Sequence, residues 1–251
     1  MDTPLPKRLG RSPFLEALWE YPFPADPQQP IGELLVGFLY HHLQKRKPEQ
    51  PWKVSRLPTA QIPSILAFHT TSLRYAPKYR IESQKGSILY QVGDQVLTVH
   101  CRRPYVGWPV FEQEIIETIE LLRQSGLFEE PQRHTLRFIY FFTSEEMPPW
   151  EGLRFRLEVG DQMIRTQPIQ LRVELKVDSW QHILYLVHPV EVQMGEAQRK
   201  GWLIDLATVG NVQKDWEGLK EQVRLLHEAS QKLFFQQILI PKQIKHLKLE
   251  F

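Results

Sequence analysis

The sequence predicts an α+β protein in which helices pack on one side of a mainly antiparallel sheet. Three observations support this prediction: short apolar segments come in runs, glycine-containing joints separate several of them, and longer segments have apolar residues at helical spacing. Runs of strands followed by single helices are typical of antiparallel α+β folds rather than of βαβ units. The order of elements also permits two β-α-β(3–4)-α pseudo-repeats, residues 1–130 and 131–251, within one compact unit.

The first element is a strand predicted at residues 14–23, followed by a helix that begins at Pro30. Proline is tolerated in the first turn of a helix because the N–H that it lacks has no helical partner there. The apolar residues after Pro30 recur at helical spacing until Pro48 ends the pattern. Prolines crowd residues 48–63 and 148–149, and these stretches are expected to be irregular connections.

Three strands are predicted next, with the sequences YRIESQ, SILYQV and QVLTVHC. Lys85–Gly86 and Gly93–Asp94 separate them, and such short glycine-containing joints favour tight hairpins. A second helix is expected from Pro109 to Gly126, with its apolar residues on one side. Glu112 and Glu114 are expected in its first turn, where the helix dipole stabilises acidic side chains.

The second half repeats this order more loosely. Strands are predicted in the segments HTLRFIYFF, LRVELKV, HILYLVHPVEV and GWLIDLATV. LRVELKV alternates strictly between apolar and polar residues, which is typical of an antiparallel strand with one buried face. The last helix is expected from Asp215, a favourable N-cap residue, to about Ile238.

The composition indicates an ordinary globular chain of 251 residues, with 42% apolar residues, 24% charged residues and a formal net charge of +2. This charge does not by itself indicate nucleic-acid binding, and the basic residues 45–47 are expected to be a solvated helix end. A single cysteine, Cys101, rules out an internal disulfide framework and multi-cysteine zinc sites. The first residues lack the apolar core of a signal peptide, and the longest apolar stretch is too short to span a bilayer. We therefore expect a cytoplasmic protein that does not bind membranes.

The segment VLTVHCRRPYVGWPVFEQEI ends a predicted strand with an arginine and enters a helix through a Pro-Tyr-x-Gly-Trp-x-x-Phe element. In this element the chain resembles an uncharacterised, sporadically distributed prokaryotic family of roughly 250-residue proteins. It is similar to that family also in PFLEALWEYPF, HTLRFIYFF and WLIDLATV, the last of which precedes a helix containing LLHEASQKLFF. Together these segments extend from residue 13 to residue 238. The resemblance implies a single prokaryotic module and no particular reaction, substrate or cofactor.

The residues around this element are the strongest candidates for a binding site. Arg102 and Arg103 are expected beside the N-terminus of the second helix, a natural anion site, with Tyr105 and Trp108 as stacking surfaces. This arrangement suggests a nucleotide, a phosphate group or an acidic peptide as the ligand. The structural alternative, which we favour, is that the proline and glycine of the element shape the turn while its aromatic side chains pack on the core.

Other polar residues within apolar segments are interpreted as structural. Arg137 and Asp205 each lie inside a predicted strand, and we expect them either to pair or to lie on a solvated face, because neither charge is stable when buried alone. His227 lies beside the apolar stripe of the last helix and is expected to pack on the sheet, with a ligand contact as the alternative. Cys101 has the alternation of a core residue, so an inert thiol is favoured over a nucleophile.

The sequence contains no motif of a catalytic site. P-loop, G-x-S-x-G and G-x-G-x-x-G patterns are absent, and no histidine pair has the spacing of a zinc-binding helix, so we predict no catalytic residue, no metal and no cofactor. The first hypothesis is therefore a non-enzymatic module that contacts a partner protein. The alternatives are a binder of nucleic acid or nucleotide through Arg102 and Arg103, and a hydrolase whose residues converge only in the fold. The oligomeric state is left open.

Overall fold

The computed structural model describes residues 8–9, 13–26, 28–84, 86–147, 151–164, 167–247 and 249–250. Within them the strands, in chain order, are β1 (Arg8–Leu9), β2 (Phe14–Pro22), β3 (Trp52–Arg56), β4 (Pro77–Ser83), β5 (Ile88–Gly93), β6 (Val96–Arg102), β7 (Thr135–Thr143), β8 (Glu158–Val159), β9 (Gln162–Met163), β10 (Ile169–Val177), β11 (Trp180–Met194), β12 (Ala197–Val209) and β13 (Leu249–Glu250). The α-helices are α1 (Ile31–Arg46), α2 (Ser64–His69), α3 (Trp108–Ser125), α4 (Trp216–Lys232) and α5 (Pro241–His246).

The predicted α+β class with a mainly antiparallel sheet is confirmed. Neighbouring strands pair in antiparallel fashion along the described ladders. The chain divides into two compact units, each discontinuous in sequence. The N-terminal unit holds Glu16–Leu136 and Gly210–Arg224, and the C-terminal unit holds Met1–Leu15, Arg137–Val209 and Leu225–Phe251. The division into residues 1–130 and 131–251, and the pseudo-repeats, stay predictions.

The sheet of the N-terminal unit has the strand order β2-β6-β5-β4-β3. One row of paired residues crosses it: Trp19 lies opposite Val99, Val99 opposite Tyr90, and Tyr90 opposite Ile81. All four side chains are buried. Because successive residues of a strand point to opposite faces, this row defines the face of the sheet that contributes to the core.

The helices α1 and α3 bury one side each, as their spacing predicts, but Leu34, expected on the buried side of α1, is 56% exposed. The buried residues include Leu35, Leu39 and Leu43 in α1, and Phe111, Ile115, Ile119 and Leu122 in α3. Gly126 ends α3 in the left-handed conformation (φ 65°), which a glycine adopts without a steric penalty. The expectation that Glu112 and Glu114 occupy the first turn of α3 is wrong, because the helix begins at Trp108 and Glu114 is buried in its second turn.

The proline-rich stretch of residues 48–63 is more regular than predicted. β3 spans Trp52–Arg56 and pairs with β4, and a 3-10 turn follows at Pro58–Gln61. Pro51 precedes this strand and Pro58 follows it, so neither proline removes an N–H from the ladder. The prolines at 148 and 149, also expected in an irregular connection, lie outside the described residues.

The sheet of the C-terminal unit has the strand order β10-β11-β12-β7. Leu184 lies opposite Leu206 and Leu186 opposite Ile204, and these side chains form part of the core. The ring of Tyr140 on β7 stacks on the ring of Phe234, with centroids 3.8 Å apart. This contact fixes the segment that follows α4 against the sheet of this unit.

The last helix begins and continues as predicted. The backbone N–H of Gly218 donates a hydrogen bond to Oδ1 of Asp215 (2.7 Å), so the prediction of Asp215 as N-cap is confirmed. The α-helical hydrogen-bond pattern ends at Lys232, and a π-helical segment continues over Leu233–Ile238. The sequence pattern gave the length of this helix but not the change of helical type.

Candidate functional site

The junction between β6 and α3 (residues 102–108) is the binding site predicted from the sequence. β6 ends at Arg102, the Arg103–Pro104 peptide bond is cis, and α3 begins at Trp108. Gly107 has a φ of 89°, a conformation that residues with a side chain disfavour, so the turn into the helix requires a glycine. The hydroxyl of Ser87 donates a hydrogen bond to the carbonyl oxygen of Pro104 (2.7 Å) and holds the junction beside the start of β5.

The two arginines of the junction are both at least partly exposed. Nη2 of Arg102 lies 3.0 Å from Oε2 of Glu82, and the Arg102 side chain is 42% exposed. Arg103 is exposed. Glu82 offsets part of the charge of Arg102, although its other oxygen also lies 3.9 Å from Nη1 of Arg80, so the junction attracts an anion somewhat less strongly than the sequence alone suggests.

The two aromatic side chains of the junction are half-buried. Burial raises the pKa of Tyr105. The ring of Trp108 lies edge-on to the ring of Phe111, with centroids 6.2 Å apart, and Phe111 is fully buried. Both rings therefore contribute part of their surface to packing, whereas the neighbouring Val106 and Val110 are exposed.

The remaining predicted residues lie in the C-terminal unit. Nε of Arg137 donates a hydrogen bond to Oδ1 of Asp205 (2.6 Å), and a second bond joins Nη2 to Oδ2. Asp205 is buried, and the Arg137 side chain is 40% exposed. His227 is buried with its ring 5.7 Å from that of Phe138, and burial lowers its pKa to about 3, so its imidazole is neutral at physiological pH.

A buried charge cluster in the N-terminal unit was missed by the sequence analysis. Nζ of Lys47 lies 2.7 Å from Oε2 of Glu114, and Oε1 of Glu114 accepts hydrogen bonds from Arg46 and from the hydroxyl of Tyr90. We call these four residues the Glu114 cluster. Burial alone would raise the pKa of Glu114, but the charge of Arg46 and the hydrogen bonds from Lys47 and Tyr90 outweigh it and lower that pKa. Residues 46 and 47 are therefore not the solvated helix end that was expected.

A signal for this cluster was present in the sequence. Glu114 lies three residues after Phe111 and four before Thr118, on the same face of α3 as these buried residues. An acidic residue on a buried helical face requires a cationic partner. The sequence did not show which of the basic clusters supplies it.

A second missed feature is a chain of hydrogen bonds through a buried histidine. The indole N–H of Trp19 donates to Nδ1 of His134 (2.7 Å), and Nε2–H of His134 donates to Oε1 of Gln222 (2.9 Å). His134 is completely buried, and burial lowers its pKa to about 4. Both ring nitrogens of His134 form hydrogen bonds. A proton on Nδ1 would face the indole N–H of Trp19, which is itself a donor, so this network favours the neutral imidazole.

The third missed feature is an apolar surface at the start of α1 and on α2. Leu34, Ile65 and Leu66 are 56%, 63% and 53% exposed. Their neighbours in sequence line one cavity of about 100 Å³, to which α1 contributes Gly32 and Glu33 and α2 contributes Ser64 and Phe68. We call the three exposed side chains and this cavity the α1–α2 surface.

The cavity of the α1–α2 surface has an acidic lining. Asp26, Glu33 and Asp94 contribute carboxylates to it. Asp94 pairs with Lys78, whose Nζ lies 2.7 Å away, and Glu33 accepts a hydrogen bond from the hydroxyl of Tyr79 (3.0 Å). In the described part of the chain, Asp94 alone of the three forms an ion pair, so the residues that line the cavity have a net negative charge, with the guanidinium of Arg56 lying 6.0 Å from the ring centre of Tyr79.

Three side chains of types that can perform catalysis, Cys101, His134 and His227, are buried. Cys101 is fully buried, and burial raises its pKa to about 11, so its thiol is not ionised at neutral pH. His134 and His227 are buried and neutral. Among the described residues, no group of three or more His, Cys, Asp or Glu side chains could hold a metal ion.

Comparison with known proteins adds no family. The sequence matches no protein-family model, and no curated protein is similar enough to indicate a relationship. The resemblance carried by the Pro-Tyr-x-Gly-Trp-x-x-Phe element therefore stays a prediction. No helix within the described ranges is both long enough and apolar enough to cross a membrane.

The buried histidine network makes a prediction about pH. The folded-state pKa of His134 is depressed from the ordinary 6.5 to about 4, so its contribution to stability is complete above pH 6.5 and is lost as the pH falls towards 4. Relative to a His134→Gln variant, the wild type should lose about 3 kcal/mol of unfolding free energy across this interval. Urea unfolding at several pH values measures the difference.

The exposed His41 provides the matched control. His41→Gln should leave the pH dependence of the wild type unchanged. If His134→Gln keeps the full pH dependence of the wild type between pH 6.5 and 4, the protonation of His134 is not coupled to folding and the assigned tautomer is wrong.

Proposed function

We propose that the chain is a non-enzymatic interaction module that binds a partner protein through the α1–α2 surface. The observation that carries the proposal is the exposure of Ile65 and Leu66, two large adjacent apolar side chains, next to an acidic cavity. Exposed apolar side chains that cluster on a folded protein are typical of protein–protein contacts. Their desolvation would supply the affinity of such a contact.

The chemistry of the surface suggests the chemistry of the partner. A cavity of about 100 Å³ accommodates one aliphatic side chain or a small part of an aromatic one. The carboxylates of Asp26 and Glu33 favour a lysine or arginine beside that apolar anchor. The expected partner therefore presents an apolar side chain flanked by a basic residue.

The burial of Cys101, His134 and His227 favours a binding role over hydrolysis at these three residues. A hydrolase requires a nucleophile or base that can reach a substrate. The neutral, buried states of Cys101, His134 and His227 do not favour such a role. The hydrolase hypothesis thus has less support than binding.

Removing the apolar side chains of α2 should weaken partner binding. The partner is first identified as a protein that co-purifies at a fixed stoichiometric ratio with the tagged chain, expressed in its native host. The affinity of this partner for the purified chain is then measured by calorimetry. Ile65→Ser combined with Leu66→Ser should weaken that affinity by at least about tenfold, because each truncation removes more than 1 kcal/mol of apolar burial. The thermal stability of the variant should stay close to that of the wild type, since both side chains are exposed.

Val159→Ser is the matched control, since Val159 is 65% exposed and lies in the C-terminal unit. Its affinity for the partner should equal that of the wild type. The proposal fails if no protein co-purifies in stoichiometric amount, or if the double α2 variant binds the partner as tightly as the control does.

Nucleic acid or a nucleotide is the alternative ligand, at the β6–α3 junction. Arg103 is exposed there, Arg102 is partly exposed, and the N-cap residue Gly107 has no side chain to satisfy the first N–H groups of α3. Such a helix N-terminus attracts phosphate groups. Glu82, which contacts both Arg80 and Arg102, offsets part of this positive charge, so we rank this alternative second.

Salt dependence tests this alternative directly. If the junction binds nucleic acid, the affinity for a labelled oligonucleotide, measured by fluorescence anisotropy, should fall steeply with salt. Arg102→Ala with Arg103→Ala should reduce the slope of log K against log salt by roughly one to two units. Arg199→Ala with Lys200→Ala, at an exposed site on β12, should not reduce it. Equal slopes for both double variants, or no binding at low salt, would reject the alternative.

A further inference from the structure

β10 is a long and regular edge strand in the part of the chain that the structure describes. It lies at the end of its sheet and pairs there with β11 alone. The ladder runs without interruption from Ile169 opposite His188 to Val177 opposite Trp180. Edge strands are usually protected by prolines, bulges, short length, inward-pointing charges or charged side chains along the edge. β10 has nine residues and neither a proline nor a bulge, and its charged side chains, Arg172, Glu174 and Lys176, lie on the exposed face rather than inward.

The hairpin turn determines which backbone groups of β10 point to the open edge. Asp178 and Ser179 alone connect Val177 to Trp180, and Asp178 has the positive φ (53°) of a two-residue hairpin turn. The residues that flank such a turn form a hydrogen-bonded pair, and hydrogen-bonded and non-hydrogen-bonded pairs alternate along an antiparallel ladder. The odd-numbered residues of β10 therefore bond to β11. The even-numbered residues direct their N–H and C=O groups to the open edge.

The side chains of β10 also separate into two rows. The even-numbered residues are exposed on one face; they are Gln170, Arg172, Glu174 and Lys176. The odd-numbered residues are apolar and only half-buried on the other face; they are Ile169, Leu171, Val173, Leu175 and Val177. This apolar row continues the core of the unit but stays half-exposed at the edge of the sheet. A further strand paired beside β10 would bury it.

We propose that a second copy of this chain pairs with β10 in antiparallel fashion, about a two-fold axis at Val173. In this register the even-numbered residues, which carry the free hydrogen-bonding groups, lie opposite each other. Arg172 then lies opposite Glu174 of the second copy, and Gln170 lies opposite Lys176 of the second copy. All nine residues of the strand take part.

The charges of β10 favour this register over the two registers that are shifted by one residue. Moving the axis by one residue to Arg172 would place Arg172 opposite its own copy, and moving it to Glu174 would place two glutamates opposite each other. Like charges directly opposite destabilise a strand pair, whereas opposite charges stabilise it. The existing ion pair between Arg172 and Glu174 (2.7 Å) is half-exposed, so it competes only weakly with the new pairs.

The apolar residues of the two copies also lie opposite each other in this register. With the axis at Val173, that valine meets its own copy, Leu171 meets Leu175 of the second copy, and Ile169 meets Val177. These are non-hydrogen-bonded pairs, in which the Cα atoms are about 4.5 Å apart and side chains are closest. The half-buried row of each copy therefore gains an apolar neighbour along its full length. This interface does not involve the α1–α2 surface and stands independently of the proposed function.

Charge reversal tests the register. Arg172→Glu places glutamate opposite Glu174, and Glu174→Arg places arginine opposite Arg172, so each single variant should dimerise at least about tenfold more weakly than the wild type. An equimolar mixture of the two variants restores both opposite-charge pairs and should associate as the wild type does. The double variant Arg172→Glu/Glu174→Arg should also dimerise. Sedimentation velocity over a concentration series measures each case.

The same variants provide the folding controls, because both side chains are exposed and each variant should keep the circular dichroism and melting temperature of the wild type. A wild type that stays monomeric at several hundred micromolar overturns the proposal. So does a dimer whose affinity is unchanged by the single charge reversals, since its contact then lies elsewhere. Association of the wild-type edge only with a peptide from another protein, with no self-association, overturns it as well.

Discussion

The Glu114 cluster is the constraint on which the N-terminal unit depends. A carboxylate with only 4% exposure is retained in the core because Arg46 and Lys47, at the end of α1, and Tyr90, on β5, satisfy it. Removing one member of such a buried pair leaves an uncompensated charge, which typically costs 3–5 kcal/mol. The cluster therefore joins both long helices of the unit to its sheet, and it specifies where α1 ends relative to α3.

Other buried polar groups in the chain are also paired with internal partners. Asp205 is held by Arg137, and His134 is held between an indole N–H and an amide oxygen. In each case a group that could take part in chemistry is committed to an internal partner. The surfaces proposed to bind other molecules are the α1–α2 surface, the junction before α3 and the open edge of β10.

Local patterns allowed much of the fold to be predicted, because alternation and helical spacing act over a few residues. The strict alternation in LRVELKV correctly indicated β10, and Asp215 correctly indicated the start of α4. The partners of Glu114 and His134 could not be predicted in the same way. Arg46 is 68 residues from Glu114, and Trp19 is 115 residues from His134, so these contacts exist only after the chain has folded. The exposure of Ile65 and Leu66 is invisible for the same reason, since apolar residues on a short helix are ordinarily expected to be buried.

A double-mutant cycle between Glu114 and Arg46 tests the importance of the buried cluster most directly. Unfolding free energies are measured for the wild type, Glu114→Gln, Arg46→Met and the double variant, with the exposed pair Arg156 and Glu158 treated in parallel. We predict a coupling energy of at least about 1.5 kcal/mol for Glu114 and Arg46, and a much smaller coupling for the exposed pair. Additive effects of Glu114→Gln and Arg46→Met, within about 0.5 kcal/mol, would contradict the structural role assigned to the cluster.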